Sequence, residues 1–168
     1  MEHGALEPSA WVVRWAPLVT HGTVLDVACG SGRHAKFFLR RNLQVVAVDR
    51  EPQHIPGARF IHADLENGRP WPLAGECFAA VVVTNYLYLP LMGRLRDCLA
   101  QSGVLIYETF MLGNERFGKP SNPEFLLRPG ELLESFKGLT VKGFEEGEVR
   151  DPKPAMIQRL CAVQAGKG

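Results

Sequence analysis

Apolar residues fall into short, β-branched runs separated by polar segments. Residues 24–28, 45–49, 59–63, 78–84 and 104–110 each read as a strand. The run Phe-Ala-Ala-Val-Val-Val-Thr at 78–84 is too apolar to leave one face in water. Helical patterns lie between several of these runs, at 33–41 and 91–100, with a shorter one at 129–136. Continuous apolar strands alternating with helices predict an α/β fold, a mostly parallel sheet covered on both faces. Two further strands, 139–149 and 155–165, are joined by Asp151-Pro152-Lys153-Pro154. So short a link suits an antiparallel pair. The expected architecture is a Rossmann-like, doubly wound, seven-stranded sheet with an antiparallel last strand, in a single domain spanning 1–168. At the front, 9–18 carries Trp11 and Trp15 four residues apart, on one face of a helix, where both rings cover the core.

Within this pattern one junction stands out. Residues 24–35 read Val-Leu-Asp-Val-Ala-Cys-Gly-Ser-Gly-Arg-His-Ala, a strand ending in a glycine turn before a helix. Gly30 and Gly32 remove β-carbons that would block a ligand, and a helix start offers unpaired N–H groups. The spacing Gly30-x-Gly32-x-x-Ala35, with Asp49 about twenty residues on, also fits a dinucleotide fingerprint. Asp26 argues against a pyrophosphate, because it adds an anion where one would have to sit. Asp64, after the third strand, adds a third carboxylate at a strand end.

Asp26, Asp49 and Asp64 in register suit a ligand bearing an amino group, a ribose diol and an adenine. The pattern resembles the class I S-adenosylmethionine-dependent methyltransferases over most of the chain. Residues 24–32 look like their first motif, with Ala28 where its first glycine usually stands; alanine is tolerable there if φ stays negative. The resemblance implies S-adenosylmethionine as cofactor. It gives Asp49, with Arg50 beside it, the ribose, and Asp64-Leu65 the adenine edge. Residues 78–86, with Asn85, resemble the motif that faces the methyl group. The short length and Leu127-Arg128-Pro129-Gly130-Glu131-Leu132-Leu133 are similar to the tellurite-resistance and thiopurine-type small-molecule methyltransferases.

The resemblance implies transfer to a small-molecule acceptor by in-line displacement. Glu108 is the candidate base, since a carboxylate on an apolar strand needs explaining; a salt bridge to Arg116 or Arg128 explains it equally well. Tyr86 is the second catalytic candidate. His34 either caps its helix or acts as a base, and Arg33 either meets the cofactor carboxylate or lies in solvent. Residues 113–128 are long for a connection inside a compact domain, and Phe117 and Phe125 are unusual in a solvated loop. They are read as a substrate lid, with Asn114, Glu115, Arg116 and Lys119 toward the acceptor.

Composition narrows the function without changing the fold. The 168 residues hold 19 basic and 18 acidic side chains, a net charge of +1. No basic excess points to nucleic acid. Thr84-Asn85-Tyr86-Leu87 lacks the Asn/Asp-Pro-Pro-Tyr signature of base amino-group methylation. Four scattered cysteines make neither a zinc pattern nor a disulfide framework, so no metal is expected. No apolar stretch reaches membrane-spanning length and the first residues lack a signal-peptide pattern, so the expected location is cytoplasmic. The oligomeric state is not legible. A noncatalytic cofactor-binding module for a partner enzyme, a nucleic-acid or protein methyltransferase and a small nicotinamide-binding domain are the alternatives.

Overall fold

The computed structural model describes residues 7–166. Seven strands form one sheet: β1 Thr23–Val27, β2 Gln44–Asp49, β3 Arg59–His62, β4 Phe78–Thr84, β5 Leu99–Phe110, β6 Thr140–Val149 and β7 Ala155–Val163. Their spatial order is β3-β2-β1-β4-β5-β7-β6. Strands β1 to β5 pair in parallel, and β7 runs antiparallel to both β5 and β6. The sequence-based fold class is borne out, with the reversed strand inserted between β5 and β6.

The apolar strands are explained by burial on both faces. On β4, Ala80 and Val82 join a core with Trp11, Val12, Phe38 and Ile106, while Val81 and Val83 pack with Leu25, Leu95, Tyr107 and Leu132. The first layer is covered by helices α1 (Ala10–Trp15) and α2 (Arg33–Arg40), the second by α3 (Met92–Asp97) and α4 (Glu131–Ser135). Ser9 caps α1 by accepting from the N–H groups of Trp11 and Val12. Trp11 and Trp15 meet edge to face at 5.6 Å, and the Trp11 indole N–H donates to the Leu160 carbonyl. Pro17 turns the end of that segment into a 3-10 helix, Ala16–Leu18.

One expectation needs correction. The helix expected over 91–100 is only Met92–Asp97, and β5 already starts at Leu99, paired with Phe78. A bulge follows, with Ser102 at φ 63° and Gly103 so enclosed that a β-carbon would lie 2.7 Å from the Ala100 carbonyl. That irregularity hides the early strand start from a periodicity reading. Residues 50–58 and 63–77, where no helix is expected, contain none, so no helix adjoins β3 in the chain. Pro52, Pro56, Pro70 and Pro72 break helical backbone in these two connections.

Candidate active site

The carboxyl ends of β1, β2, β4 and β5 border a cleft of about 400 Å³. Such ends are where open α/β sheets bind ligands. Ala28, Asp49, Asp64, Leu65, Asn85 and Tyr86 are on its wall. Asp49 is oriented by two backbone donors: Gly30 N–H to Oδ2 at 2.8 Å and Glu51 N–H to Oδ1 at 2.9 Å. A carboxylate has about four acceptor sites, so two remain for ligand hydroxyls. Asp64 accepts from Glu66 N–H at 2.9 Å through Oδ1, which holds the carboxylate beside Leu65. Arg50 lines the same cleft and also a wider depression of about 830 Å³ at the β3 edge.

The glycine turn works differently from the sequence expectation. Ala28 has φ 53°, in the left-handed region that favours glycine, not the negative φ expected of it. Gly32 is needed for packing: a β-carbon there would lie 2.7 Å from Ile55 Cδ1. At Gly30 (φ 54°) a β-carbon would meet nothing within 4 Å, so the space beside this residue is open. Neither glycine is on the cleft wall, whereas Ala28 is. Cys29 is buried, and burial pushes its thiol up to about 12.

Asp26 is also absent from the wall. It is 2% exposed, and its Oδ2 accepts from the Ala35 N–H at 3.0 Å. Gly32, at the N-cap of α2, has no side chain to bond the first turn, so Asp26 satisfies that orphan donor from the neighbouring strand. Burial raises its carboxyl from 3.8 to about 7. In this structure Asp26 holds the start of α2 through Oδ2 and does not line the cleft.

The two catalytic candidates part company. Asn85 (φ 54°) turns the chain after β4, its N–H donating to the Glu108 carbonyl at 2.9 Å. The Tyr86 hydroxyl then donates to Glu66 Oε2 at 3.1 Å, and the Tyr107 hydroxyl to the Tyr86 carbonyl at 2.8 Å. Burial first, and the Glu66 carboxylate second, hold the Tyr86 phenol protonated well above its usual range. Tyr86 is therefore a donor. Glu108 lies off the wall and accepts from the Ser9 hydroxyl at 2.9 Å and from the Arg159 guanidinium. The cation is Arg159, not Arg116 or Arg128, because β5–β7 register sets Glu108 opposite Arg159. His34 is buried, and its Nε2 accepts the Ser9 N–H at 3.0 Å. Burial lowers its imidazole to about 3, which keeps that nitrogen an acceptor.

Residues 113–128 reach the cleft, through other side chains than those expected. Asn114 is buried, donating to the Pro120 carbonyl and accepting the Met156 N–H, both at 3.0 Å. Arg116 stacks on Phe117 and bonds the Gly113 carbonyl. Neither residue lines the cleft, nor does Lys119. Pro120 and Phe125 do, together with Glu66, Thr109 and Phe110, which the sequence reading did not single out as site residues. Phe125 is 50% exposed. A second cleft of about 520 Å³ shares Glu66, Leu87 and Phe125 with the first. Among the described residues no group of His, Cys, Asp and Glu is placed to hold a metal, and no helix is long and apolar enough to cross a membrane.

Comparison with known proteins fits this geometry. Residues 24–103 match a family model described as a methyltransferase domain. TehB from Haemophilus influenzae superposes with a TM-score of 0.71 at 16% identity, covering 96% of this chain and 62% of its own. This chain thus spans less than two thirds of that protein's length. The 1,6-didemethyltoxoflavin-N1-methyltransferase of Burkholderia thailandensis, solved with 1,6-didemethyltoxoflavin and S-adenosylhomocysteine, gives 0.70 at 19%, covering 98% and 80%. The N-methyltransferase NodS of Bradyrhizobium japonicum gives 0.68 at 12%, covering 98% and 99%. No curated protein matches the sequence. The fold is therefore one shared with these methyltransferases, and residues 24–103, just under half of the chain, resemble a methyltransferase domain.

Proposed function

We propose that this chain methylates a small-molecule acceptor by in-line displacement, with the cofactor in the 400 Å³ cleft and the acceptor in the adjoining 520 Å³ cleft. The observation that carries this is the shared border of the two clefts at Glu66, Leu87 and Phe125. It gives two ligands one meeting point beside Tyr86. The bound small molecule of the toxoflavin-type neighbour supports an acceptor of that scale.

The residues fit the cofactor. Asp49, preset by Gly30 and Glu51, would hold a ribose diol, and Asp64 with Leu65 would hold the adenine edge. Ala28 and Asn85, both in left-handed turns, would bring backbone against the rest of the molecule. When bound, S-adenosylmethionine supplies a methyl group on a sulfonium, a leaving group that needs no acid. The protein's task is then alignment and exclusion of water. Tyr86 donates a hydrogen bond at the border, and Phe125 with Pro120 walls off solvent. Glu108 keeps a structural role, because Ser9 and Arg159 already engage its carboxylate.

Calorimetry against S-adenosylmethionine and S-adenosylhomocysteine, followed by an acceptor screen including thiols and selenium or tellurium oxyanions, tests the proposal. Binding of both, with methylated product from one small acceptor, is expected. A protein that binds neither cofactor form is not the enzyme proposed.

A further inference from the structure

The second cleft carries more information than its position. Its floor and rim are apolar, made by Leu87, Leu89, Pro90, Leu112, Phe125 and Leu126. Three of these are large side chains left open to water: Leu89 at 46%, Leu112 at 38% and Phe125 at 50%. Clustered exposed apolar groups in a concave surface mark a ligand site better than scattered ones do. Cut into this apolar wall are three carboxylates, Glu66, Glu124 and Glu131, against one cation, Arg128. None of the three carboxylates is in an ion pair among the described residues. The acidic end, Glu66, is also the residue on the border with the cofactor cleft.

An anionic acceptor would be repelled from such a cleft, whereas a cation would meet the Glu124 carboxylate and the oxygens of Glu66 and Glu131 not already taken by the Tyr86 hydroxyl and the Arg128 N–H. Resting on the function proposed above, we infer that the acceptor is an apolar amine: a small hydrophobic body bearing a primary or secondary amino group, cationic in solution. The body fills the leucine and phenylalanine wall, and the ammonium is drawn to Glu66 at the border. An ammonium has no lone pair to attack with. It must first lose one proton, which the Glu66 carboxylate accepts and passes to water. The freed nitrogen pair then forms the new N–C bond, while the C–S bonding pair leaves on sulfur, so the product is the methylated ammonium and a neutral thioether. The Tyr86 hydroxyl, donating to Glu66 Oε2, fixes the carboxylate during this exchange.

The test compares three probes of one shape: 2-phenylethylamine, 2-phenylethanethiol and 3-phenylpropionate. Each is titrated into the intact protein saturated with S-adenosylhomocysteine, and product is followed by mass spectrometry with S-adenosylmethionine. The amine is expected to bind about tenfold or more tightly than the carboxylate and to be the probe that gains a methyl group. The double variant Glu124→Gln/Glu131→Gln should weaken amine binding about fivefold or more and leave S-adenosylhomocysteine affinity unchanged. Glu66→Gln should lower kcat for the amine by about tenfold or more. Thiol or carboxylate binding equal to the amine, no probe binding to the loaded protein, or amine affinity indifferent to the double variant would each overturn the amine assignment. Failure to bind S-adenosylhomocysteine at all would instead remove the function beneath it.

Discussion

The Gly30 amide donates to Asp49 Oδ2 at 2.8 Å, so the glycine turn and the acid at the end of β2 form one unit. Asp49→Ala would therefore remove two ligand acceptor sites and also leave the Gly30 N–H without its partner. Affinity for S-adenosylhomocysteine is expected to fall by about 1–3 kcal/mol, read by calorimetry. An unchanged affinity would remove Asp49 from the ribose.

Ala28 sits at φ 53°, a conformation that costs an L-residue roughly 1–2 kcal/mol. Glycine relieves that cost but gives back roughly 0.5–1 kcal/mol through its more flexible unfolded chain. Ala28→Gly should stabilise the protein by up to about 1.5 kcal/mol, raising Tm by up to about 3–6 °C. A lower Tm would mean that the alanine methyl group packs usefully on the cleft wall.

Asp26 and His34 give opposite pH dependences. Asp26 is raised from 3.8 to about 7 by burial, so its contribution to stability is complete below 3.8 and lost as pH rises through about 7. His34 is lowered from 6.5 to about 3, so its contribution is complete above 6.5 and lost as pH falls through about 3. Between those values the two slopes oppose each other. Asp26→Asn keeps an oxygen for the Ala35 N–H and removes only the first slope. Its advantage over the parent, from urea midpoints, should grow between pH 4 and pH 8 toward a ceiling of roughly 4 kcal/mol, the equivalent of a shift from 3.8 to about 7. A constant difference across that range would contradict the buried carboxyl.

Glu108 and Arg159 are 14% and 20% exposed, and Arg159 also reaches Glu145 at 3.1 Å. Arg159→Met should cost about 2–3 kcal/mol, because Glu108 is left with the Ser9 hydroxyl alone. Glu108→Gln should lower stability yet change kcat by less than about threefold. A loss of turnover in the Gln variant, at unchanged cofactor affinity, would return Glu108 to the chemistry.

The fold was legible because burial on both faces makes the strands of a parallel sheet uniformly apolar, as 45–49 and 78–84 show. The acids were legible for a related reason: Asp49 and Asp64 stand at the ends of strand runs, and Asp26 is the one charge within an apolar run. Two of them, Asp49 and Asp64, reach the cleft wall. Asp26 does not, because a helix beginning at a glycine takes its capping oxygen from elsewhere, and only the packing of α2 on β1 reveals that. Arg159 was invisible as the partner of Glu108, since register between strands about fifty residues apart is a tertiary property. The acceptor side was the hardest to read. The charged residues Arg116 and Lys119 lie off the cleft wall, while Phe125 and Glu66 hold positions on it that no local pattern specifies.

The segment 113–128 is tied down at both ends. Asn114 holds one end to Met156, and Leu127 holds the other through bonds with the Phe110 carbonyl and the Leu112 N–H. Between these ties, Pro120 and Phe125 form the wall, and the Pro120 carbonyl is itself bonded to Asn114. The strap is thus held by backbone-directed bonds at both ends and again at Pro120. Phe125, half exposed and shared by both clefts, is the side chain of the strap whose rotation changes the opening between them. The width of the junction between the two clefts then depends on the rotamer of one aromatic ring.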